Sequence, residues 1–292
     1  MSSEISELEV NALVGRAWKE VHSYTARDVM LYALSVGYGS DSAFEELDYT
    51  TDNSNGHDLA AAPAFLTVLV HERTSGIDDT VPLSALLHAS ERIDVCGSIP
   101  VEGEVAIETE VVSARPRRSG TALEFRSTII HHRAGEIGTV TSTLLVRHPR
   151  PEVTRPVGST SARGRVFVPT ARRRVMLRPD QALLYRLNGD TNPLHSDPWA
   201  ARAAGFPQPI LHGLCSFGLT GRVIGHQLPP GCRVRQLTAT FAQPIRPGAE
   251  LTVEMNLAES PCAGSFRVLD DNGELVLRDG QVAWADTSSA AK

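Results

Sequence analysis

The chain has 292 residues, 41% of them hydrophobic and 21% charged, with a formal net charge of −6. That length suits two ordinary domains or one domain of two similar halves, in a composition normal for a soluble globular protein. The acidic balance argues against broad attraction to nucleic acid, though it leaves room for a local basic patch that holds a phosphorylated ligand. No apolar run approaches the roughly 20 residues that span a bilayer, so no membrane partner is expected. Met1 to Val10 is acidic and lacks an apolar signal core, and Ser288-Ser289-Ala290-Ala291-Lys292 is not a peroxisomal address. Cys96, Cys215, Cys232 and Cys262 are widely spaced, with no C-x-x-C pair and no metal-ligand pattern. They read as reduced, partly buried thiols of a cytoplasmic protein.

From the N-terminus, Thr25 to Val36 carries Val29, Met30, Ala33 and Leu34 at helical spacing, with Thr25 as a cap and Asp28 three residues on. An irregular region follows from Tyr38 to Asp79. Val101 to Ser113, Thr121 to His131 and Ile137 to His148 are rich in β-branched residues with partial alternation and read as strands. Gly103, Ser119-Gly120 and Ala134-Gly135 supply their turns. Leu144 to Arg165, with Pro149-Arg150-Pro151 and Pro156-Val157-Gly158, reads as extended. Taking 149–165 as a linker leaves an N-terminal half, 1–148, and a C-terminal half, 166–292. The roughly equal lengths hint at duplication.

The second half repeats the order. Arg178-Pro179-Asp180 precedes Ala182, Leu183, Leu184 and Leu187, a short helix with Asp180 as a possible cap. Asn188-Gly189 stops it, since both residues tolerate left-handed backbone. Asn192-Pro193 forces extended backbone and a turn, and Asp197 can cap a new helix with Pro198 at its first position. Asp190 and His195 therefore share one short, bent loop, where a carboxylate and an imidazole can converge on one water and cover acid and base work near neutral pH. Taken alone, they read equally as a turn residue and a packed histidine. Gly205 to Cys215 then leads into Pro209 to Leu228, apolar with several glycines, which suits a helix buried by a curved sheet. Gly213 near its start either offers a close N–H to developing negative charge or simply allows tight packing. Arg235 to Phe241, Glu250 to Leu257, Gly264 to Asp270 and Glu274 to Ala283 read as strands, with Asp271-Asn272-Gly273 as a hairpin turn. A helix wrapped by an antiparallel sheet, occurring twice, is an α+β architecture.

Tyr185-Arg186-Leu187-Asn188-Gly189-Asp190-Thr191-Asn192-Pro193-Leu194-His195-Ser196-Asp197-Pro198, together with Ala204-Gly205-Phe206 and Pro209-Ile210-Leu211-His212-Gly213-Leu214-Cys215, resembles the MaoC-like hydratases and, more closely, hydratase 2, the (R)-specific 2-enoyl-CoA hydratase. Phe241 to Gly248 also resembles a segment of that family. The resemblance is weaker in the first half. It implies a double hot-dog fold of two halves, each a long helix wrapped by an antiparallel sheet, the first half degenerate and widening the cavity. It implies reversible syn hydration of a trans-2-enoyl-CoA to a (3R)-3-hydroxyacyl-CoA, with no metal or redox cofactor required. Asp190 and His195 would be the acid/base pair, Asn192 would help hold the site, and the N–H of Gly213 would bind the thioester oxygen. A homodimer is expected on the same ground.

The first half departs from the family pattern. Leu87-His88-Ala89-Ser90-Glu91 stands where the family usually has Leu-His-Gly-Glu-Gln, so His88 and Ala89 fall at substrate-touching positions, with Ala replacing Gly. Arg117, within Arg115-Pro116-Arg117-Arg118, falls where the family has a basic residue near the CoA. That arginine cluster reads either as a phosphate grip or as a solvated hairpin tip. Phe241 reads either as a ligand contact or as core. The rival functions are a (3R)-hydroxyacyl thioester dehydratase in fatty-acid or polyketide synthesis, a thioesterase, and a non-catalytic acyl-CoA-binding subunit.

Overall fold

The computed structural model describes residues 7–42, 44–70, 74–81, 86–117, 119–147 and 167–286. The linker expected at 149–165, the C-terminal residues and Arg118 lie outside them. Ten strands form the frame: β1 (Ala17–Tyr24), β2 (Leu86–Val95), β3 (Gly103–Arg117), β4 (Gly120–His131), β5 (Gly135–Val146), β6 (Ala171–Met176), β7 (Cys232–Phe241), β8 (Glu250–Ser260), β9 (Ala263–Leu269) and β10 (Leu275–Asp286). They make one antiparallel sheet in the order β1-β3-β4-β5-β2-β7-β10-β9-β8-β6. Read from either end, the order is the same, so β1–β5 and β6–β10 are two copies of one five-stranded sheet. The copies meet along β2 and β7, where Ser90 faces Thr240 and Asp94 faces Gln236.

The strands expected at Val101, Thr121 and Ile137, and their four counterparts in the second half, are present with somewhat different ends. Three strands had no expectation. β1 and β6 are the sheet edges: β6 turns Arg172, Arg173 and Arg174 outward, which hides the alternation and blunts that edge against further pairing, while the exposed face of β1 mixes Lys19 with Ala17, Val21 and Ser23, so no clear polar face marks it. In β6, Arg172 reaches Glu254 at 2.7 Å and Arg173 donates to Gln227 at 2.6 Å. β2 is the seam strand, whose Glu91, Arg92 and Asp94 disguise it.

Seven short helices pack on the sheet: α1 (Glu7–Asn11), α2 (Ala26–Ser35), α3 (Leu47–Thr50), α4 (Leu66–Leu69), α5 (Gln181–Tyr185), α6 (Pro198–Ala203) and α7 (Gly213–Gly225). The α2 start is as expected: the Asp28 carboxylate accepts from the Thr25 N–H and hydroxyl, each at 2.8 Å. Its inward face differs, with Tyr32 buried beside Val29 and Ala33 while Leu34 is exposed. Asp180 does not cap α5, because Arg178 holds both of its carboxylate oxygens at 2.9 and 3.0 Å. Leu183 and Leu187 are exposed, and Gln181, Ala182 and Tyr185 face inward instead.

α7 is the long central helix of the second half, starting at Gly213 rather than Pro209. A methyl group at Gly218 would run into the Tyr32 hydroxyl, and one at Gly221 would sit 3.2 Å from Leu237 on β7, so glycine lets the first half close onto this helix at Gly218 and the helix settle on its own sheet at Gly221. In the first half the matching place is filled by a 3-10 turn, Pro63–Phe65, continuing into α4. Phe65, Leu66 and Leu69 are buried there, inside a region expected to be irregular.

The C-terminal end of α7 is tied to the first half by charge. Buried Arg222 donates to Glu46 at 2.6 and 2.9 Å and to Asp41 at 2.6 Å. His226 meets the same Glu46 carboxylate at 2.6 Å, and the Gly39 N–H donates to it at 2.7 Å. Burial alone would raise the Glu46 carboxyl, but its bonds to His226, Arg222 and Gly39 outweigh that and hold it at about 2.

Candidate active site

The loop that carries Asp190 is fixed from the first half. After α5 the chain runs through a 3-10 turn, Arg186–Asn188, and leaves it at Gly189, whose φ of +114° needs glycine. The Asn188 amide donates to Tyr185 C=O at 2.8 Å and to the hydroxyl of Ser35 on α2 at 2.9 Å. The Gln181 amide donates to the carbonyl of the same Ser35. Two side-chain turns then bend the loop. Asp190 Oδ1 accepts from the Asn192 N–H at 3.1 Å, and Asn192 Oδ1 accepts from the Leu194 N–H at 3.0 Å, capping the turn Pro193–His195. Asp197 caps α6 as expected, accepting from the Trp199 N–H at 2.8 Å.

His195 ends that turn half-buried, with Nδ1 2.9 Å from the Ile210 carbonyl. A carbonyl only accepts, so Nδ1 carries the hydrogen and Nε2 keeps a lone pair. The His195 ring stacks on His212, centroids 3.7 Å apart and planes 26° apart. His212 is 2% exposed and has Tyr185 4.8 Å away. Its Nε2 lies 3.4 Å from the Asp190 carbonyl and so donates to it, while Nδ1 is buried without a partner. Burial and the neighbouring His195 push His212 down to about 4, against a smaller upward pull from Asp190, so it is neutral at pH 7. Donor atoms of Asp190, His195 and His212 all lie within 4.8 Å of one another. That count of ligands could hold a metal ion, but stacked imidazoles direct their in-plane lone pairs alongside each other rather than onto one point. A water making two hydrogen bonds of about 2.8 Å bridges such a gap comfortably.

The next residue is Gly213. The His212 carbonyl accepts from the N–H groups of Cys215 and Ser216 at 3.1 and 3.3 Å, which opens α7. Gly213 therefore occupies the first turn, where an α-helix has no internal acceptor for the N–H and its dipole favours negative charge. It is exposed. A Cβ here would lie 3.0 Å from the ring of Phe241, at the end of β7. Phe241 in turn meets the His88 ring edge-on, with centroids 4.7 Å apart. His88 Nε2 is 2.8 Å from the carboxylate of buried Glu91. Asp190, Asn192, His195, Gly213, Phe241 and His88 thus form one connected wall, His88 reaching it across the β2–β7 seam.

Ala89 sits at a bulge in β2, between the pairs His88–Leu144 and Ser90–Thr143. Its φ is not in the left-handed region, so alanine in place of glycine brings no backbone strain. Arg117 ends β3, at the tip of the β3–β4 hairpin. The pairings Pro116–Thr121, Thr121–Val146 and Leu86–Val146 place its hairpin tip at the same end of the sheet as His88. It is three strands away, about 14 Å at the usual strand spacing. Three members of the site had no expectation: His212, Tyr185 and Glu91. His212 stands directly before the glycine of interest, and that adjacency is the signal that could have found it.

Among known families, the model of the MFE-2 hydratase 2 N-terminal domain matches residues 22–148 and that of the MaoC like domain matches residues 161–268. The 3-hydroxyacyl-thioester dehydratase Y of Mycobacterium tuberculosis is 34% identical over 280 residues, 89% of this chain and 93% of that protein. The enoyl-CoA hydratase ChsH3 of the same organism is 36% identical over 250 residues, 80% of this chain and 83% of that protein. The crystal structure of a MaoC-like dehydratase from Phytophthora capsici superposes with a TM-score of 0.77 at 22% identity, covering 95% of this chain and 98% of the other. At that identity it bears on the fold alone.

Proposed function

The chain belongs to the MaoC-like hydratase family, and on that premise we propose that it adds water reversibly to the double bond of a trans-2-enoyl-CoA thioester. The observation that carries this reading is the gathering of the Asp190 carboxylate and a ring nitrogen of His195 within 4.8 Å, next to the open first turn of α7. A hydration site needs a water held by acceptors and a donor for the thioester oxygen, and those two parts adjoin here.

In the proposed cycle the thioester oxygen takes the Gly213 N–H. As negative charge moves onto that oxygen, the donor at the helix start stabilises it by roughly 3 kcal/mol. Both Asp190 carboxylate and His195 Nε2 are acceptors, so a water donates one hydrogen to each and turns a lone pair toward Cβ. One of the two takes a proton as the C–O bond forms, and a proton returns from the same side to Cα. Addition on one face is syn, and the family resemblance makes the product (3R)-3-hydroxyacyl-CoA. Asn192 positions the turn that carries His195. Phe241 and His88 line the acyl side. Arg117 serves the CoA phosphates from the rim.

A dehydratase acting on carrier-bound (3R)-hydroxyacyl groups is the second reading, favoured by the name of the 34% identical relative. It uses the same site in reverse, and a rate preference for acyl-carrier-protein over CoA thioesters distinguishes it. We place the enzyme in the cytoplasm as a homodimer: four free cysteines suit a reducing compartment, and the dimer rests on the resemblance. The test is loss of enoyl-thioester absorbance with a panel of 2-enoyl-CoAs running from short to bulky chains. Turnover is expected, and Asp190→Asn and His195→Gln should abolish it while leaving the fold intact. Folded variants with native rates overturn the site, and no turnover across the panel overturns the activity.

A further inference from the structure

His212 is a buried titratable group beside Asp190 and His195 with no part in the proton movements above. Its surroundings are specific. One ring face lies on His195, Tyr185 is 4.8 Å away, and Nε2 points at the backbone carbonyl of Asp190. Its own carbonyl opens α7 and so sets the direction of the Gly213 N–H. His212 thus touches all three parts of the site: the His195 ring, the Asp190 backbone and the start of α7. Its environment also makes it unfit as an acid or base. The ring is 2% exposed, its Nε2 is engaged with the Asp190 carbonyl, and its free nitrogen, Nδ1, is buried without a partner. Burial strips water from any positive charge on His212, and the His195 ring stacked at 3.7 Å and nearby Arg186 disfavour it further, which agrees with the depressed His212 pKa.

We propose that His212 is a positioning residue for hydration: its flat neutral ring fixes the plane of His195, and its N–H fixes the Asp190 backbone, in register with the Gly213 N–H. The orphaned Nδ1 then has a reason, because a ring serving as a neutral spacer needs one bare nitrogen. This rests on the reading that Asp190 and His195 hold the reacting water.

The test compares His212→Phe, which keeps an aromatic slab, with His212→Leu, which removes it; both lose the N–H. Displacing a reacting group by about 1 Å costs on the order of 100-fold in rate, so kcat for the Leu variant should fall by more than about tenfold below the Phe variant, with KM within about threefold of native. A Phe/Leu ratio in kcat of tenfold or less, or a loss carried by KM, overturns the proposal. Where the Leu variant does not fold, the Phe variant decides alone: more than about a tenth of native kcat supports the slab, and less overturns it. Asp190→Asn measured alongside separates the two claims. If it keeps native rates, the reading of the site fails. If it is inactive while both His212 variants are native, only the positioning role fails.

Discussion

The two halves of the sheet share a topology and differ at every point where chemistry would occur. In the second half, Gly189 at φ +114° is followed by Asp190; in the first, Gly37 at φ +93° is followed by Tyr38, which is buried. The long helix of the second half opens on Gly213 with an N–H to offer, whereas its counterpart opens on Pro63, which has none. With the β2–β7 ladder centred on Arg92 and Thr238, His88 of the working wall corresponds to Val234. The carboxylates that follow Tyr38, Asp41 and Glu46, are tied to Arg222. Tyr38, Pro63, Arg222 and Val234 line one small cavity. The place where a second site would lie is thus occupied by ion pairs and tyrosine, and the same architecture carries the candidate reaction centre in one half and a structural lock in the other.

The largest effect that would break this comparison is catalytic. Asp190→Asn should lower kcat by about 100- to 10,000-fold, the usual worth of a positioned acid–base group, whereas Tyr38→Phe at the matching place should leave kcat within about twofold. Steady-state hydration assays check both.

The next is structural. Glu46→Gln leaves buried Arg222 without its main partner and should cost roughly 3–5 kcal/mol of stability, read by denaturant unfolding. A pH series sharpens this. Glu46 is depressed to about 2, so its contribution is present above the ordinary carboxylate value and lost as pH falls toward 2. His226 is raised by its bond to Glu46, so its smaller contribution is present below its ordinary value of 6.5 and lost as pH rises through the raised one. The lock is tightest between the two ordinary values, and Glu46→Gln should flatten stability across that window.

A smaller effect follows from close packing. Gly218→Ala pushes a methyl into Tyr32 and should cost about 1–3 kcal/mol with Asp190 and His195 undisturbed. The smallest belongs to the surface: Arg16→Ala breaks an exposed pair with Asp79 and should change stability by less than about 1 kcal/mol.

Much of this was legible in the sequence, because the working half uses strong local signals. Asn188-Gly189, Asn192-Pro193 and Asp197-Pro198 each dictate a backbone turn, and together they draw the catalytic loop. The hairpins around Gly120, Gly135 and Gly273 are equally local. What escaped depends on contacts distant in sequence. β6 is an edge whose charged outer face masks alternation, β1 is an edge whose exposed face mixes Lys19 with Val21, and β2 is recognisable only through its partner β7. The buried turn at Pro63 carries no helical period because it is too short. His212 escaped for a related reason: beside a glycine at a helix start it reads as packing, and its role depends on where the His195 ring, seventeen positions earlier, comes to rest.

The central claim is that the second half adds water to an enoyl thioester on one face. It is tested most directly by incubating the full chain with a trans-2-enoyl-CoA and identifying the product with dehydrogenases specific for (3R)- or (3S)-3-hydroxyacyl-CoA. The account predicts a (3R) product that disappears with Asp190→Asn. A (3S) product, or a free thiol in place of a hydroxyacyl thioester, would contradict it.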